Sequence, residues 1–302
     1  MNKEILNHYL QFSVFTNPGC YKEMLQKLPE DIRKIGILVR KQIIHRVTLR
    51  KGNIGSNSDL RYGDMDKFPW WRLRCDDDIL PTASAMISEL MRLDKRGFVP
   101  NRPVENKIVV TCRCVSILTA SILKSKGIPC RVRSGFAPYF FEGSWDHWIN
   151  QYWDKKQKRW ITIDVDGCLE DLGFDPFDIP PNRFDWAANT WLGIRKNNLN
   201  ENNFINAGGY RGLMPAMWEI FYDFHSLMNN EIIYFHNPNY SRISEFNKLK
   251  EKDFKEIDDL AELMLDPDKN FQDLKKIWNT KKKFRILSGG LIEDKDHVKY
   301  RC

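Results

Sequence analysis

Three residues far apart in the chain have the types that together ionise and use a thiol: Cys112, His147 and Asp164. A nucleophilic cysteine needs a lowered pKa, a base within hydrogen-bond reach and a partner that orients the base. Cys112 opens the run CRCVSILTASILKS, which reads as a helix. The exposed amides and the dipole at a helix N-terminus favour thiolate over thiol. Cys114 sits half a turn further in and feels less of this field, and Cys130 starts a strand and reads as a small buried hydrophobe. A single Cys, His or strand-end Asp is more commonly inert, structural or a cap, so the weight lies in the coincidence of all three.

His147 falls in DHWINQYWD and Asp164 near the end of RWITIDVD, two strand-like runs joined by the polar stretch DKKQKR. They form a hairpin. A turn centred between Lys155 and Lys156, whether of two residues or of four, sets His147 directly opposite Asp164, where a carboxylate can hold an imidazole. Asp166 lies on the same face one pleat further along and is the rival. A turn moved by one residue favours it.

The elements that must position these groups follow from periodicity. Residues 21 to 28 and 32 to 44 repeat at helical spacing, 51 to 69 read as loop, and DDDILPTASAMISELMRL reads as a helix with an acidic start, stopped by Gly97 and Pro100. The helix from Cys112 to Lys126 is apolar on nearly every side and should be central; Thr111 is its N-cap and Gly127 ends it, with Pro129 following. Beyond the hairpin the chain is irregular to Phe184, then helical over 185 to 235 with a glycine-marked turn, and two amphipathic helices follow Leu249, near 252 to 265 and 270 to 280.

At this point a resemblance emerges. The run from Cys112 through Gly127-Ile128-Pro129-Cys130-Arg131, then DHWINQYWD and Trp160-Ile161-Thr162-Ile163-Asp164, is similar to the transglutaminase-like superfamily. The resemblance covers residues 112 to 166 well and continues more weakly to about 236. It implies Cys112 as nucleophile, His147 as general base and acid, and Asp164 as orienter, acting on an amide, peptide or thioester without metal or organic cofactor. It implies an α+β, papain-like or transglutaminase-like core, a small antiparallel sheet packed on a central helix that carries the nucleophilic Cys, surrounded by helices. The expected layout is a helical part over 1–100, the core over 101–240 and a helical extension over 241–302. Relatives often carry His-x-Trp, a Glu at Asn150 or Gln151, and Asp at Cys114; here Trp148 follows His147 directly, which leaves the substrate class open.

Composition bounds the rest. With 302 residues, 42% hydrophobic and 29% charged, the chain reads as globular. Its 10 tryptophans suggest a deep cleft, with Trp70, Trp71 and Trp148 as candidate walls and Arg72 or Arg74 as a candidate anion contact; the plainer reading of the FPWWRLR segment is core packing before a helix. The seven cysteines are odd in number and fit free thiols, and Cys112, Cys114, His147 and Cys168 lack the paired spacing of a zinc site. The polar N-terminus and the short apolar stretches point to a cytoplasmic protein with no membrane partner, and the resemblance is to bacterial members of that superfamily. A net charge of +7 with interspersed acids, densest at Lys281, Lys282 and Lys283, reads as a solvated surface ahead of a nucleic-acid footprint. A binding module that keeps the fold without turnover is the other reading.

Overall fold

The computed structural model describes residues 2–46, 67–69, 72, 79–234, 237–238 and 241–285. The chain forms two compact units, Met1–Val132 with Trp148–Pro180, and Arg133–His147 with Pro181–Cys302. Helices and sheets occur together, and the fold class is α+β.

In the first unit, helices α1 (Lys3–Leu10), α2 (Lys22–Gln26), α3 (Ile32–Arg40) and α4 (Ala83–Leu93) accompany a two-stranded parallel sheet, β1 (Ile43–His45) and β2 (Ile108–Val110). Residues 32 to 44 are therefore not one helix. Arg40 ends α3, and the β-branched pair Ile43-Ile44 turns into strand because it has a partner: Ile43, Ile44 and His45 lie opposite Ile108, Val109 and Val110. α4 is capped by Thr82, whose side chain accepts from the Ala85 amide. The expected acidic start, Asp76 to Asp78, lies outside the described residues, as do 51 to 66 of the expected loop.

β2 runs directly into α5 (Cys112–Ser125), every residue of which is buried. A helix buried all round needs partners for most of its polar side chains, and here Ser121 Oγ is the exception among the described residues. Thr119 and Ser125 donate to carbonyls one turn back, Val115 O at 2.9 Å and Ser121 O at 2.7 Å. Arg113 donates to Pro81 O and stacks on Phe15, and Lys124 reaches Gln11 O at 2.9 Å. Helices α2, α3 and α4 pack against α5. Its end is a Schellman motif: Ile128 N–H bonds Leu123 O, Gly127 N–H bonds Lys124 O, and Gly127 sits at φ 74°.

Strands β3 (Cys130–Ala137), β4 (Ser144–Asp154) and β5 (Arg159–Ile163) follow. β3 and β4 pass through both units, changing at Val132/Arg133 and His147/Trp148. The β4–β5 hairpin exists, in a shifted register. Asp154 faces Arg159 and Asn150 faces Ile163, so the loop of 155–158 is centred between Lys156 and Gln157, one residue beyond the expected position. Lys158 adopts φ 54°, and the Asp154 carboxylate accepts from the Lys156 and Gln157 amides, which fixes the four-residue turn.

In the second unit, β6 (Asp185–Trp186) pairs with β3, α6 (Ala187–Arg195) follows, and β7 (Phe204–Ile205) pairs parallel with the start of β4. The sheet order is β5-β4-β3-β6 with β7 beside β4, so two short strands from beyond residue 166 join it. Helices α7 (Leu213–Leu227), α8 (Ile243–Phe246), α9 (Glu251–Met264) and α10 (Phe271–Thr280) complete this unit, with α6, α7 and α9 packed together. Buried Arg133 on β3 makes a two-pronged bond to Asp223 of α7, at 2.7 and 2.8 Å, and its guanidinium lies over Trp186.

Candidate functional site around Cys112

Cys112 is the first residue of α5 and is 5% exposed. Thr111 occupies the N-cap as expected, with extended backbone, yet its side chain makes no capping bond; its carbonyl takes the Cys114 and Val115 amides instead. The thiol is thus held at the positive end of a long buried helix, where negative charge on sulfur is favoured.

The His45 imidazole lies close enough to this thiol for the Cys112 side chain to raise its pKa. Three conditions bring it there. β1 pairs with β2 so that His45 lies level with Val110, two residues before Cys112. Gly36 lets α3 come down on the segment after β5: a Cβ at this position would stand 2.5 Å from the Phe177 ring. Arg40, at the end of α3, donates through Nε to the Asp166 carbonyl at 2.8 Å, through Nη1 to Ile43 O at 3.2 Å, and lies 3.2 Å from Asp166 Oδ1. The other carboxylate oxygen, Asp166 Oδ2, is 3.6 Å from His45 Nε2.

His45, Asp166 and Arg40 therefore form one chain of contacts inside the first unit, which also holds Cys112. Burial pushes the His45 pKa down, but the Asp166 carboxylate and the Cys112 thiol outweigh burial and the opposing Arg40 charge, leaving it above its ordinary value. Cys168 behaves oppositely. Burial, with Asp164 and Asp166 nearby and with Arg40 and a backbone hydrogen bond opposing, pushes its thiol up to about 12, so it stays protonated.

The sequence-derived residues are distributed as follows. Cys112, Asp164 and Asp166 belong to the first unit, and His147 is the last residue of β4 assigned to the second. His147 is buried and meets the Phe140 ring edge-on with centroids 4.9 Å apart, and Tyr139 at 6.4 Å. Asp164 is fully buried; its amide donates to Pro176 O at 2.8 Å and its Oδ1 accepts from Gly167 N at 2.9 Å. The β4–β5 ladder ends at Asn150–Ile163, before reaching either 147 or 164. The expected reason for pairing His147 with Asp164, direct opposition in the hairpin, is thus corrected. The one-residue shift of the turn is the one that favours Asp166 on register.

Trp70, Trp71 and Arg74 lie outside the described residues. Arg72 bonds the Glu105 carbonyl and, at 2.6 Å, the Lys107 carbonyl, and its guanidinium stacks over Phe68, so it braces the approach to β2. Trp148 is 1% exposed and among the largest buried side chains. Asn150 and Gln151, where relatives of the resembled family often have Glu, make interior bonds: Asn150 donates to Ser116 O on α5 at 3.0 Å, and Gln151 accepts from Arg131 and donates to Thr162. Among the described residues no group of three or more His, Cys, Asp or Glu side chains is arranged to hold a metal ion.

Sequence reasoning passed over His45 and Arg40. Both sit where a helical pattern breaks into a three-residue strand, too short to show a period of two. The partner of that strand lies more than sixty residues away, which no local pattern reveals. The usable signal was Ile43-Ile44, β-branched residues at a helix end next to a histidine.

No family model and no curated protein matches the chain. One solved structure does. It is a "putative cysteine protease" from Cytophaga hutchinsonii, 13% identical, with a TM-score of 0.35 over 62% of this chain and 46% of that one. This chain thus spans less than half of that protein, and a likeness this distant carries no argument for fold or activity.

Proposed function

We propose that this protein performs cysteine-dependent acyl chemistry, hydrolysing an amide or peptide or passing its acyl group to an amine, through a thioester on Cys112. The observation that carries this reading is the placement of Cys112: first residue of a wholly buried helix, two residues after the strand position that pairs with His45, an imidazole that a carboxylate backs. The motif resemblance to the transglutaminase-like superfamily supports it independently.

In this mechanism the Cys112 sulfur attacks the substrate carbonyl carbon, and the carbonyl π electrons move to oxygen. Backbone amides at the start of α5 are the candidate donors to that oxyanion. Following the motif, His147 in its protonated form gives a proton to the leaving amine as the C–N bond breaks and takes one back from the incoming water or amine in the second step, with Asp164 orienting the ring. Water or an amine then attacks the thioester and returns Cys112. Trp70, Trp71, Arg72 and Trp148 remain proposed substrate contacts, and a cytoplasmic setting fits the free thiols.

The test is a library of amides and peptides offered with and without a primary-amine probe, read by mass spectrometry. Wild-type protein should release hydrolysed or amine-exchanged products, and Cys112→Ala should lower turnover by at least about a thousandfold, the scale lost when a nucleophile is removed. Equal turnover by the two proteins rejects the reading. A thiol that stays silent toward small electrophiles favours the non-catalytic binding module.

A further inference from the structure

Resting on Cys112 as the nucleophile, we propose that His45 is a second catalytic histidine, the proton acceptor that keeps Cys112 as a thiolate at rest, with Asp166 as its positioning residue. His45 lies outside the Cys–His–Asp motif, yet the β1–β2 register sets it level with Val110, two residues before Cys112, with Asp166 Oδ2 3.6 Å from its Nε2. Its carboxylate partner is fixed before any substrate arrives. Asp166 is held by Arg40 through both its backbone carbonyl and its side chain, and Arg40 is anchored in turn to Ile43 O, two residues before His45 on the same strand. The three supports come from α3, β1 and the segment after β5, and α3 packs on α5.

The step is a proton transfer. The S–H bond of Cys112 breaks, an N–H bond forms on the His45 imidazole, and a thiolate–imidazolium pair results with no change of oxidation state and no co-reactant. The charged groups that face His45 are Asp166, which favours the imidazolium, the Cys112 thiolate, which does the same, and Arg40, which opposes it. Arg40 already shares Asp166, so the carboxylate is divided between a permanent cation and a conditional one. The imidazolium is tolerated in this half-dry site because the sulfur carries the compensating charge; removing either member returns the other toward its neutral form. In this arrangement His45 sets the resting charge on sulfur, and the motif histidine, His147, is left to serve the leaving group.

The experiment is a titration of thiolate absorbance in the ultraviolet on the full-length protein, with Cys112→Ser subtracted so that only the Cys112 signal remains. Wild type should show Cys112 ionising below the ordinary thiol range. His45→Gln should move its ionisation up to or beyond the ordinary thiol range of about 8.5. Asp166→Asn, which leaves the imidazole in place, should move it in the same direction by less. His147→Gln should leave the resting titration where it is. A Cys112 titration unchanged in both folded His45→Gln and Asp166→Asn overturns the proposal, as does a shift seen with His147→Gln alone. Should His45→Gln fail to fold, Asp166→Asn decides by itself. Because the readout is thiol ionisation, it is separable from acyl turnover: loss of the thiolate in His45→Gln supports the pair even where no substrate is turned over.

Discussion

At the scale of single residues, burial and pairing decide which histidine is charged. His45 has a carboxylate and a thiol beside it and is held above its ordinary pKa. His225, buried on α7, has neither: Phe284 O accepts from Nε2 at 2.7 Å and Asn230 donates to Nδ1 at 2.9 Å, so both ring positions are used by the neutral form. Burial pushes its pKa down to about 4, with the nearby Arg285 charge adding to this and the Phe284 bond opposing. The consequence for stability has a definite sign. With the folded value below the unfolded one, the unfolded chain binds the extra proton between about pH 6.5 and about 4, and stability contributed by neutral His225 is lost as pH falls through that window. The contribution is of order 3 kcal/mol, and urea melts of wild type against His225→Gln should converge as pH drops from 7 toward 4. Parallel curves across that range would show that His225 is not held neutral.

At the scale of elements, α5 was the most legible part of the sequence because its signals are local. Thr111, the unbroken apolar run, Gly127 and Pro129 lie within twenty residues, and each lands where cap and propensity rules place it. Gly127 gives the cleanest check. It has φ 74° and nothing within 4 Å of where a Cβ would stand, so Gly127→Ala meets conformational strain without a clash. We expect a loss of about 1–2 kcal/mol with the fold and the Cys112 chemistry retained; a melt indistinguishable from wild type would contradict the Schellman end. The hairpin was half legible. Its strands are plain from aromatic and β-branched composition, but its register depends on whether the Asp154 side chain caps the turn, and a one-residue difference there changes which aspartate the register favours. β1 and β2 were not legible at all, since three-residue strands acquire their identity from a distant partner, and it is this pair that delivers His45. The candidate site could therefore be read as far as Cys112 and its helix, while the His45–Asp166 pair required the tertiary structure.

At the scale of the whole molecule, charge and chain path carry the remaining content. The net charge of +7 does not gather where the sequence is most basic: Lys281 lies 2.9 Å from Glu256, and Lys283 lies 3.0 Å from Glu256 and 3.6 Å from Asp253. Such exposed pairs add little stability, but they offset the field that a nucleic-acid footprint would need. No helix among the described residues is long and apolar enough to cross a membrane. The chain leaves its first unit along β3 and returns along β4, so the motif that the sequence presents as one continuous signature is divided, with Cys112 and Asp164 in one unit and His147 in the other. His45, Asp166 and Arg40 belong to the same unit as Cys112. What the protein does with the thiol is then open to direct measurement. On mixing with p-nitrophenyl acetate, wild type should give a burst of nitrophenolate matching one acetyl group per chain, mapped to the peptide that contains Cys112, and Cys112→Ala should show no burst. A burst of the same size in Cys112→Ala, or acetyl groups spread over surface lysines with Cys112 unmodified, would contradict the assignment of Cys112 as the nucleophile.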